Sequence, residues 1–380
     1  MNFKRFWPSA PVKWSLLATF LVVFLTGCFG GGKPSASPLG ENPSQAKIST
    51  AWANRVGGTD LFLSVNVSAK AVTLAGADGT VAALDPVTGR DLWRTRLTTP
   101  LLAGVGSDGQ TAAVVTREND LVAIEGGKVL WRQKLSAQSF TAPLVAGKRV
   151  FVLGADRSVH AFDGQTGRRL WSQQRPGDPL VLRQGGTMLA VGDTLVVGLS
   201  GRLVGMNPLS GTSRWEAPIS TPRGTNEVER LVDLVGGASR VGDVVCARAF
   251  QTAVGCVNTA RGTLLWTRPG NGIVGLDGDA RNVYGSESNG LLNAWNRIDG
   301  EPVWSADRLK FRELTAPLVV GRGVAVGDGA GFVHLLSREN GSLLGRVSTD
   351  GSPIVATPVL AADTLVVVTR NGGVFGFRIE

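Results

Sequence analysis

The chain carries few of the side chains that perform chemistry in enzymes. Among its 380 residues are 2 histidines and 3 cysteines, which leaves little material for a zinc site, a Cys–His nucleophile or an iron–sulfur cluster. His160 and His334 occupy equivalent positions of a repeated strand, and we interpret both as ordinary strand residues. Asp85 and Asp163 each precede a glycine-containing turn and are interpreted as turn formers. No Ser–His–Asp order, P-loop or dinucleotide fingerprint stands out, so the sequence predicts neither a catalytic site nor a metal site.

One cysteine, Cys28, follows a segment typical of an exported lipoprotein. Three basic residues are followed by the apolar stretch 14–25, which is shorter than the roughly 20 residues of a membrane-spanning helix. The run Leu-Thr-Gly before Cys28 resembles the bacterial lipobox, in which cleavage precedes the cysteine and lipid is attached to its thiol. We therefore predict a signal peptide over residues 1–27 and lipidation of Cys28; a plain membrane anchor is the alternative. Phe29 stands where an inner-membrane retention signal has Asp, which favours the outer membrane and its periplasmic face.

Residues 28–47 are rich in Gly, Pro and Ser and have no apolar periodicity. We interpret them as a flexible tether between the lipid and a folded domain. Residues 48–380 are predicted to form that domain. The formal net charge is +9, and three of the basic residues lie in the signal peptide. A surplus of this size gives no indication of a nucleic-acid partner.

The other two cysteines, Cys246 and Cys256, lie in two adjacent apolar runs, 244–249 and 253–257. These runs predict a hairpin centred near Gln251, and a three-residue loop would place the two cysteines opposite each other. Opposed residues in antiparallel strands approach within disulfide range, and the periplasm is oxidising. We therefore predict a structural disulfide, with two buried free thiols as the alternative.

Beyond residue 47 the sequence is built from one repeat. The clearest copy, from Asp78 to Trp93, has an apolar strand, an Asp, a Gly four positions later and a second strand that reaches the Trp. The Asp can start a turn, the Gly supplies a positive φ, and the Trp can pack between neighbouring sheets. The copies recur about every 40 residues, which is close to the period of propeller blades. The tryptophans predicted to serve as structural blade positions are Trp52, Trp93, Trp131, Trp171, Trp215, Trp266 and Trp304.

This pattern predicts an all-β, eight-bladed β-propeller with four antiparallel strands in each blade. The seventh copy has Gly345 in place of the tryptophan, and the last copy stops at residues 374–379, after its third strand. Trp52 stands where the missing fourth strand should be, so we predict that the N-terminal strand completes the last blade and closes the ring. The alternative is seven blades and a stray N-terminal strand. Contact between Trp52 and residues 374–379 distinguishes the two.

The repeat, with its A-x-D-x-x-x-G-x-x-x-W spacing, resembles the tryptophan-docking motif of propellers that bind pyrroloquinoline quinone. For the dehydrogenases among them, the resemblance implies a quinone and a Ca²⁺ held by central acidic residues, and in many a disulfide between adjacent cysteines. This chain has no adjacent cysteine pair, and the repeat itself is a packing device. We therefore expect no cofactor, and a quinoprotein dehydrogenase is the least favoured function.

The two longest intervals between tryptophans are consecutive, 44 residues before Trp215 and 51 residues before Trp266. They contain the segments 179–183 (PLVLR) and 225–233 (TNEVERLVD), which mix apolar and charged residues as a binding surface does. Because the connections between blades often carry the function of a propeller, we predict that both segments form one docking patch. Long loops without a function are the alternative.

The lipobox, the tether, the eight blades and the two long loops together resemble the outer-membrane protein assembly factors of the BamB family over essentially the whole chain. The resemblance implies a non-enzymatic scaffold lipoprotein of the outer-membrane β-barrel assembly (BAM) complex. Such a protein binds the periplasmic POTRA domains of BamA, aids the insertion of β-barrel proteins and can contact unfolded outer-membrane proteins. Val235 stands where the family can carry a second Asp. A propeller that binds another envelope protein is the alternative. The partner-binding residues implied by the family motifs are Leu180, Leu182, Arg183, Arg230, Leu231 and Asp233.

Overall fold

The structure is a computed structural model of the chain. All but two residues of the predicted signal peptide, and Cys28, lie outside the part that it describes. The chain forms two compact units, Met1–Ser35 and Ala36–Glu380, and every element below belongs to the second. In the parts of the chain that the structure covers, no helix is long and apolar enough to cross a membrane. The described residues are 1–2, 34–58, 64–175, 181–222, 225 and 231–380.

The described part of the second unit contains 32 strands in eight antiparallel sheets of four strands each, and these sheets are the blades. Strand β1 (Ile48–Arg55) belongs to blade eight. Blades one to four consist of β2–β5 (Asn66–Val67, Val72–Ala75, Thr80–Leu84, Asp91–Arg96), β6–β9 (Leu101–Ser107, Thr111–Thr116, Asp120–Glu125, Lys128–Lys134), β10–β13 (Leu144–Ala146, Arg149–Leu153, Ser158–Asp163, Arg169–Gln174) and β14–β17 (Met188–Val191, Thr194–Leu199, Arg202–Met206, Ser213–Pro218). Blades five to eight consist of β18–β21 (Leu234–Val241, Val244–Ala249, Ala253–Asn258, Thr263–Pro269), β22–β25 (Leu276–Gly278, Asn282–Ser286, Leu292–Asn296, Pro302–Ala306), β26–β29 (Leu318–Val320, Gly323–Gly327, Phe332–Ser337, Leu343–Ser348) and β30–β32 (Val359–Ala361, Thr364–Val368, Gly373–Ile379) followed by β1.

The ring is closed by the first strand of the chain. Strand β1 pairs antiparallel with β32, from Ile48 opposite Ile379 to Arg55 opposite Gly373. Trp52 lies opposite Gly376 in this pairing. The predicted eight-bladed β-propeller with four antiparallel strands per blade is confirmed, and the seven-bladed alternative is wrong.

The burial of each strand follows its place in the blade. All five residues of β4, the third strand of blade one, are buried, whereas every residue of β5 at the outer edge is exposed or half-buried. The middle strands are apolar on both faces because each blade is covered by a neighbour on either side. The core is therefore a series of apolar layers between adjacent blades, such as the cluster that joins Trp131 and Phe162.

The turn between the third and fourth strands of a blade is shaped by an aspartate and a glycine. In blade one, Asp85 Oδ1 accepts a hydrogen bond from the backbone N–H of Thr88 (2.7 Å), and Gly89 has a φ of 69°. The ring of Trp52 from blade eight lies against Gly89, so a Cβ at this glycine would overlap the indole. Trp52 Nε1 also donates to the carbonyl of Pro86 (3.1 Å). The joint between these two blades is thus a tryptophan seated on the turn of the next blade.

Six further tryptophans form joints of the same kind. Each contacts a glycine in the corresponding turn of the next blade. Blade seven has Gly345 at this position, and the described residues of blade eight form no such turn, because β1 supplies the strand beside β32. The contacts are Trp93 with Gly127, Trp131 with Gly167, Trp171 with Gly211, Trp215 with Gly262, Trp266 with Gly300 and Trp304 with Gly341.

Because neighbouring strands run in opposite directions, the connections lie on two faces of the ring. The turns between third and fourth strands, such as 85–89, lie on one face, which we call the turn face. The turns between second and third strands, such as 76–79, and the connections between blades lie on the opposite face, which we call the loop face. The predicted docking segments are connections between blades and belong to the loop face.

The described part of the predicted tether follows the ring from residue 36 onward. The N–H of Ser37 donates to the carbonyl of Lys310 (2.9 Å), and the N–H of Ala46 donates to the carbonyl of Leu344 (3.0 Å). Residues 36–47, which we call the strap, therefore lie along blade seven before the chain enters β1.

Blade five contains the cysteine pair. Strands β19 and β20 place Cys246 opposite Cys256 across a loop of residues 250–252. The structure forms a disulfide between these two residues, whose Cα atoms are 3.9 Å apart. Both cysteines are fully buried, and the bridge lies inside the core between blades five and six.

Candidate partner-binding site

The two segments predicted to form a docking patch meet on the loop face, beside blades three, four and five. The N–H of Leu182 donates to Asp233 Oδ2 (3.0 Å), and the N–H of Gly236 donates to the carbonyl of Gly185 (2.9 Å). These bonds join the connection before blade four to the connection before blade five. Residues 181–187 and 231–236 therefore form one continuous surface, which we call the docking patch.

The structure describes four of the six side chains predicted to contact a partner. Arg183 is exposed, whereas Leu182, Leu231 and Asp233 are half-buried. Leu180 and Arg230 lie outside the described residues. The four described residues share one surface, and their contact with a partner stays a prediction.

Asp233 is committed to contacts within the protein. Its side chain is 20% exposed; Oδ1 lies 3.4 Å from Arg157 Nη1 while Oδ2 accepts the N–H of Leu182. The carbonyl of Asp233 also accepts the N–H of Phe250 in blade five (3.0 Å). The carboxylate of Asp233 therefore positions the segment that carries Leu182 and Arg183, while its contact with a partner stays a prediction.

Arg157 supports Asp233 from blade three. The side chain of Arg157 is 9% exposed and also donates to the hydroxyl of Ser200. Because a buried guanidinium needs acceptors, the pairing with Asp233 satisfies both charged groups. The ion pair links blade three to the connection between blades four and five, so it fastens one side of the docking patch to the ring.

A small cavity lies beneath Leu182. Its volume is about 50 Å³, and Leu153, Leu199 and Leu234 contribute apolar walls. A space of this size holds about four water-sized groups, which is close to the number of carbon atoms in one leucine side chain. Leu182 also lines this cavity.

Arg183 presents its guanidinium at the surface of the patch. Its Cζ atom lies 5.8 Å from the centre of the Phe140 ring, which is within the range of a cation–π contact. This contact limits the number of orientations of a long side chain and leaves guanidinium N–H groups available to solvent. Arg183 is therefore positioned to donate to a carboxylate on a partner.

The side chain of Val235 is buried beneath the exposed part of the docking patch. The residue is 1% exposed, pairs with Arg248 in β19 and bridges to Gly186. An aspartate side chain at this position would be buried in the wall of the small cavity. The apolar residue thus agrees with the local surroundings in this chain.

The patch adjoins the central channel of the ring. The channel has a volume of about 650 Å³, and Phe140, Thr141, Gln184 and Gly186 line both the channel and the small cavity. Several inner strands and interblade connections contribute apolar groups to its wall, Ile273 among them. The docking patch and the mouth of the channel therefore form one continuous concave region of the loop face.

The channel contains one strongly held acidic group. Glu287 receives two hydrogen bonds from the fully buried Arg248, at 3.1 and 3.2 Å, and a third from the N–H of Asn271 (2.6 Å). A carboxylate in a bidentate pair with arginine has its charge compensated. In the portion of the chain with described coordinates, no group of three or more His, Cys, Asp or Glu side chains is placed to hold a metal ion.

The two histidines lie in buried hydrogen-bond networks of their blades. His160 Nε2 is 2.9 Å from the hydroxyl of Ser158, and His334 Nε2 is 2.9 Å from Asp328 Oδ2. Burial lowers the pKa of both histidines below the ordinary value. Burial alone would raise the pKa of Asp328, but hydrogen bonds from His334 and from the N–H of Phe332 outweigh it and the pKa falls. These side chains stabilise blades three and seven.

Sequence reasoning missed Phe140 and Arg157. Arg157 has a φ of 63° at the repeat position that Gly79 and Gly331 occupy in other blades. A non-glycine residue in the left-handed region is uncommon, so the replacement of glycine at this position was a usable signal. Phe140 directly precedes a Thr-Ala-Pro run that recurs at residues 315–317, and it has no comparable signal.

The fold places the protein in the class of eight-bladed β-propellers whose blades are joined by docked tryptophans. Its loop face carries the docking patch, which does not follow the repeat. A solved structure, "The crystal structure of BamB from Moraxella catarrhalis", matches with a TM-score of 0.79 and 23% identity, covering 87% of this chain and 100% of that chain. The quinohemoprotein alcohol dehydrogenase from Comamonas testosteroni matches with a TM-score of 0.68 and 14% identity, covering 90% of this chain and 78% of that chain. Likenesses at these identities show the shared fold alone.

Sequence comparison identifies the family. The model of the family described as "Outer membrane protein assembly factor BamB" matches residues 77–306. A protein of that name from Burkholderia pseudomallei is 39% identical over 347 residues, or 90% of this chain and 91% of the relative. Another from Bordetella pertussis is 35% identical over 382 residues, or 98% and 97%. The chain belongs to the BamB family of outer membrane protein assembly factors, as the sequence motifs predicted, and it is not an enzyme.

Proposed function

We propose that this protein is a scaffold lipoprotein of the BAM complex, anchored through Cys28 at the periplasmic face of the outer membrane. The docking patch binds the POTRA domains of BamA and so aids the insertion of β-barrel proteins. The observation that carries the proposal is the direct bonding of the segment around Leu182 and Arg183 to the segment around Asp233. Two connections from different blades thereby present a single surface to one partner.

The surface has the chemistry of a protein-binding site. Its centre offers the small apolar cavity beside Leu182, and its rim offers the exposed guanidinium of Arg183. Apolar pockets flanked by an arginine are typical of the sites that dominate binding energy at protein interfaces. An apolar side chain and a neighbouring carboxylate on a POTRA domain would complement these two features.

The proposal is tested by co-purification with BamA. We expect the Leu182→Ala/Arg183→Ala double variant to lose BamA, because each truncation costs about 2 kcal/mol at a binding hot spot, or roughly 30-fold in affinity. The side chains are half-buried and exposed, so the variant keeps its fold, which is checked by an unchanged urea midpoint.

The matched control replaces an apolar and a basic residue on the turn face of blade one. Arg90 and Leu92 are both exposed, and the Arg90→Ala/Leu92→Ala variant should retain BamA fully. Retention of BamA by the Leu182→Ala/Arg183→Ala variant would refute the docking patch. Loss of BamA from both variants would show that the contact does not lie on this surface alone.

A further inference from the structure

The joint between blades seven and eight differs from the other joints of the ring. Elsewhere a tryptophan of one blade rests on a glycine-containing turn of the next. Blade seven has Gly345 at the tryptophan position, and among the described residues blade eight has no turn to receive a tryptophan, because its third and fourth strands, β32 and β1, come from opposite ends of the ring domain. The vacant tryptophan site between these blades is occupied by the strap.

The backbone of the strap fills the space that a side chain would take at residue 345. A Cβ atom on Gly345 would lie 2.9 Å from the carbonyl oxygen of Ala46 and 3.6 Å from Ile48 Cδ1. Ala46 is 5% exposed and belongs to the core cluster that contains Leu335 and Phe377. A glycine at position 345 and a docked strap are therefore matched to each other.

Arginine side chains of blade seven and of the connection before it hold the strap by its backbone. Arg312 Nη1 donates to the carbonyl of Ser37 (2.9 Å), and Arg346 donates to the carbonyls of Leu39 (3.1 Å) and Gly40 (3.2 Å). Because arginine is a rigid, multiple donor, these bonds fix the path of a segment that is short of apolar side chains.

Two further contacts hold the strap to blade seven; with the arginine contacts above, they form what we call the clamp. Arg322 donates to the carbonyl of Gln45, and Asn42 Nδ2 donates to the carbonyl of Arg346 (2.9 Å). Arg312 is itself fixed by Asp328 Oδ2 at 2.7 Å, in a pair that is 8% and 0% exposed. The clamp is therefore anchored to the buried network of blade seven.

The strap carries the chain from one face of the ring to the other. Strand β1 begins on the turn face, since Ile48 pairs with Ile379 at the end of the third strand of blade eight. Ser37, at the other end of the strap, bonds to Lys310 and Arg312 in a connection on the loop face. The strap thus begins on the face that carries the docking patch.

We propose that the vacant tryptophan site of blade seven is a binding site for the strap, and that the docked strap directs the lipid tether from the loop face. The directing role rests on the proposed lipidation of Cys28. When the strap is docked, eight residues separate Cys28 from Ser37, which bonds to the ring. Without docking, nineteen residues separate Cys28 from β1. For a flexible chain, which is what the composition predicts, eight residues span about 16 Å on average, against about 24 Å for nineteen. The strap therefore holds the loop face toward the bilayer.

Docking is tested by amide hydrogen exchange on the full-length protein. The N–H groups of Ser37 and Ala46 should exchange at least about tenfold more slowly than in an unstructured peptide. Gly345→Trp, which restores the repeat residue, and Arg346→Ala should both remove this protection. Arg94→Ala, at the equivalent position of blade one, is the matched control and should leave it intact. Unprotected amides in the unaltered protein, or full protection in both variants, would overturn the proposal.

The directing role is tested on the lipidated protein in phosphatidylethanolamine–phosphatidylglycerol vesicles that contain a lipid with a quenching headgroup. A fluorophore is attached to Glu118→Cys on the loop face or to Gln165→Cys on the turn face, both exposed. We expect stronger quenching of the loop-face label and loss of the difference in the Gly345→Trp background. Equal quenching in the unaltered background would overturn the directing role. Quenching of neither label would refute the lipid anchor and the directing role with it, while hydrogen exchange still decides whether the strap docks.

Discussion

Blade three and blade seven each depart from the repeat at one position, in opposite ways. Blade three has Arg157 at a turn position where blades one and seven have Gly79 and Gly331, and Arg157 adopts the positive φ that glycine favours. Blade seven has Gly345 where the other blades have a tryptophan. The first departure adds a long charged side chain, and the second removes the largest side chain of the repeat.

Each departure coincides with an attachment to the ring. The added guanidinium of Arg157 reaches Asp233 and fastens the docking patch, while the missing side chain at Gly345 admits the strap. The repeat positions hold the blades to one another, and the departures from the repeat hold other segments to the blades. Variants that break a regular joint or restore a repeat residue test this distinction.

Breaking a regular joint should have the largest effect on stability. Trp266 is 7% exposed, contacts Gly300 of blade six and donates to the carbonyl of Arg297 (2.8 Å). We expect Trp266→Ala to lower the free energy of unfolding by about 3–5 kcal/mol, measured by urea denaturation. The matched control is Leu265→Ala, which truncates a neighbouring side chain that is 42% exposed and should change stability by less than about 0.5 kcal/mol. Equal effects of the two variants would contradict the role of the tryptophan joints.

Restoring the repeat residue in blade three should affect the partner more than the fold. Arg157→Gly leaves the half-buried Asp233 without its guanidinium, so we expect a loss of about 1–3 kcal/mol in stability. Affinity for BamA should fall on the order of tenfold, because the segment around Leu182 must then be ordered on binding. Titration of purified POTRA domains measures the change. The control is Arg168→Ala, which truncates an exposed arginine on the turn face of the same blade. This variant should bind BamA normally, and an equal loss of affinity in it would contradict the specific role of Arg157.

The two histidines should give the smallest effect, as a change in the pH dependence of stability. Burial lowers the pKa of His334, so below about pH 6.5 the unfolded chain takes up a proton that the folded protein does not. Stability is therefore complete above this pH and falls as the pH decreases toward the lowered pKa, by at most about 1.4 kcal/mol per pH unit for one group. Urea midpoints of His334→Gln between pH 7.5 and 5 should show a shallower decline.

His160 provides the matched comparison, because burial lowers its pKa as well. His160→Gln should also flatten the decline, and the two substitutions should add in the double variant because they lie in different blades. A decline that is unchanged in both single variants would show that other groups set the acid sensitivity.

The regular part of the molecule could be predicted from the sequence because each signal is local. Asp85 and Gly89 are four residues apart, and their turn forms within the same hairpin. The closure of the ring could also be predicted. The last repeat lacks a fourth strand, and the N-terminal strand around Trp52 belongs to no other repeat, so each supplies what the other lacks. The opposition of Cys246 and Cys256 follows from hairpin symmetry alone.

The irregular contacts could not be predicted in the same way, because they join residues that are distant in sequence and have no repeated counterpart. The pairing of Arg157 with Asp233 and the contact of Arg183 with Phe140 depend on how two long connections fold over three blades. The sequence predicts a flexible tether with no contacts to the ring for the strap, because its composition is that of a linker. Its contacts are made mainly through its backbone, which composition does not report.

The pairing of β1 with β32 also sets the order in which the molecule can be completed. Contacts between the two ends of a chain form late in folding, since a very long loop must close before they add stability. A nascent chain that does not yet include residues 373–379, or a product truncated before Gly373, leaves the edge of β1 without its partner strand. Unpaired strand edges promote aggregation, so we expect the protein to resist aggregation only when residues 373–379 are present to pair with β1.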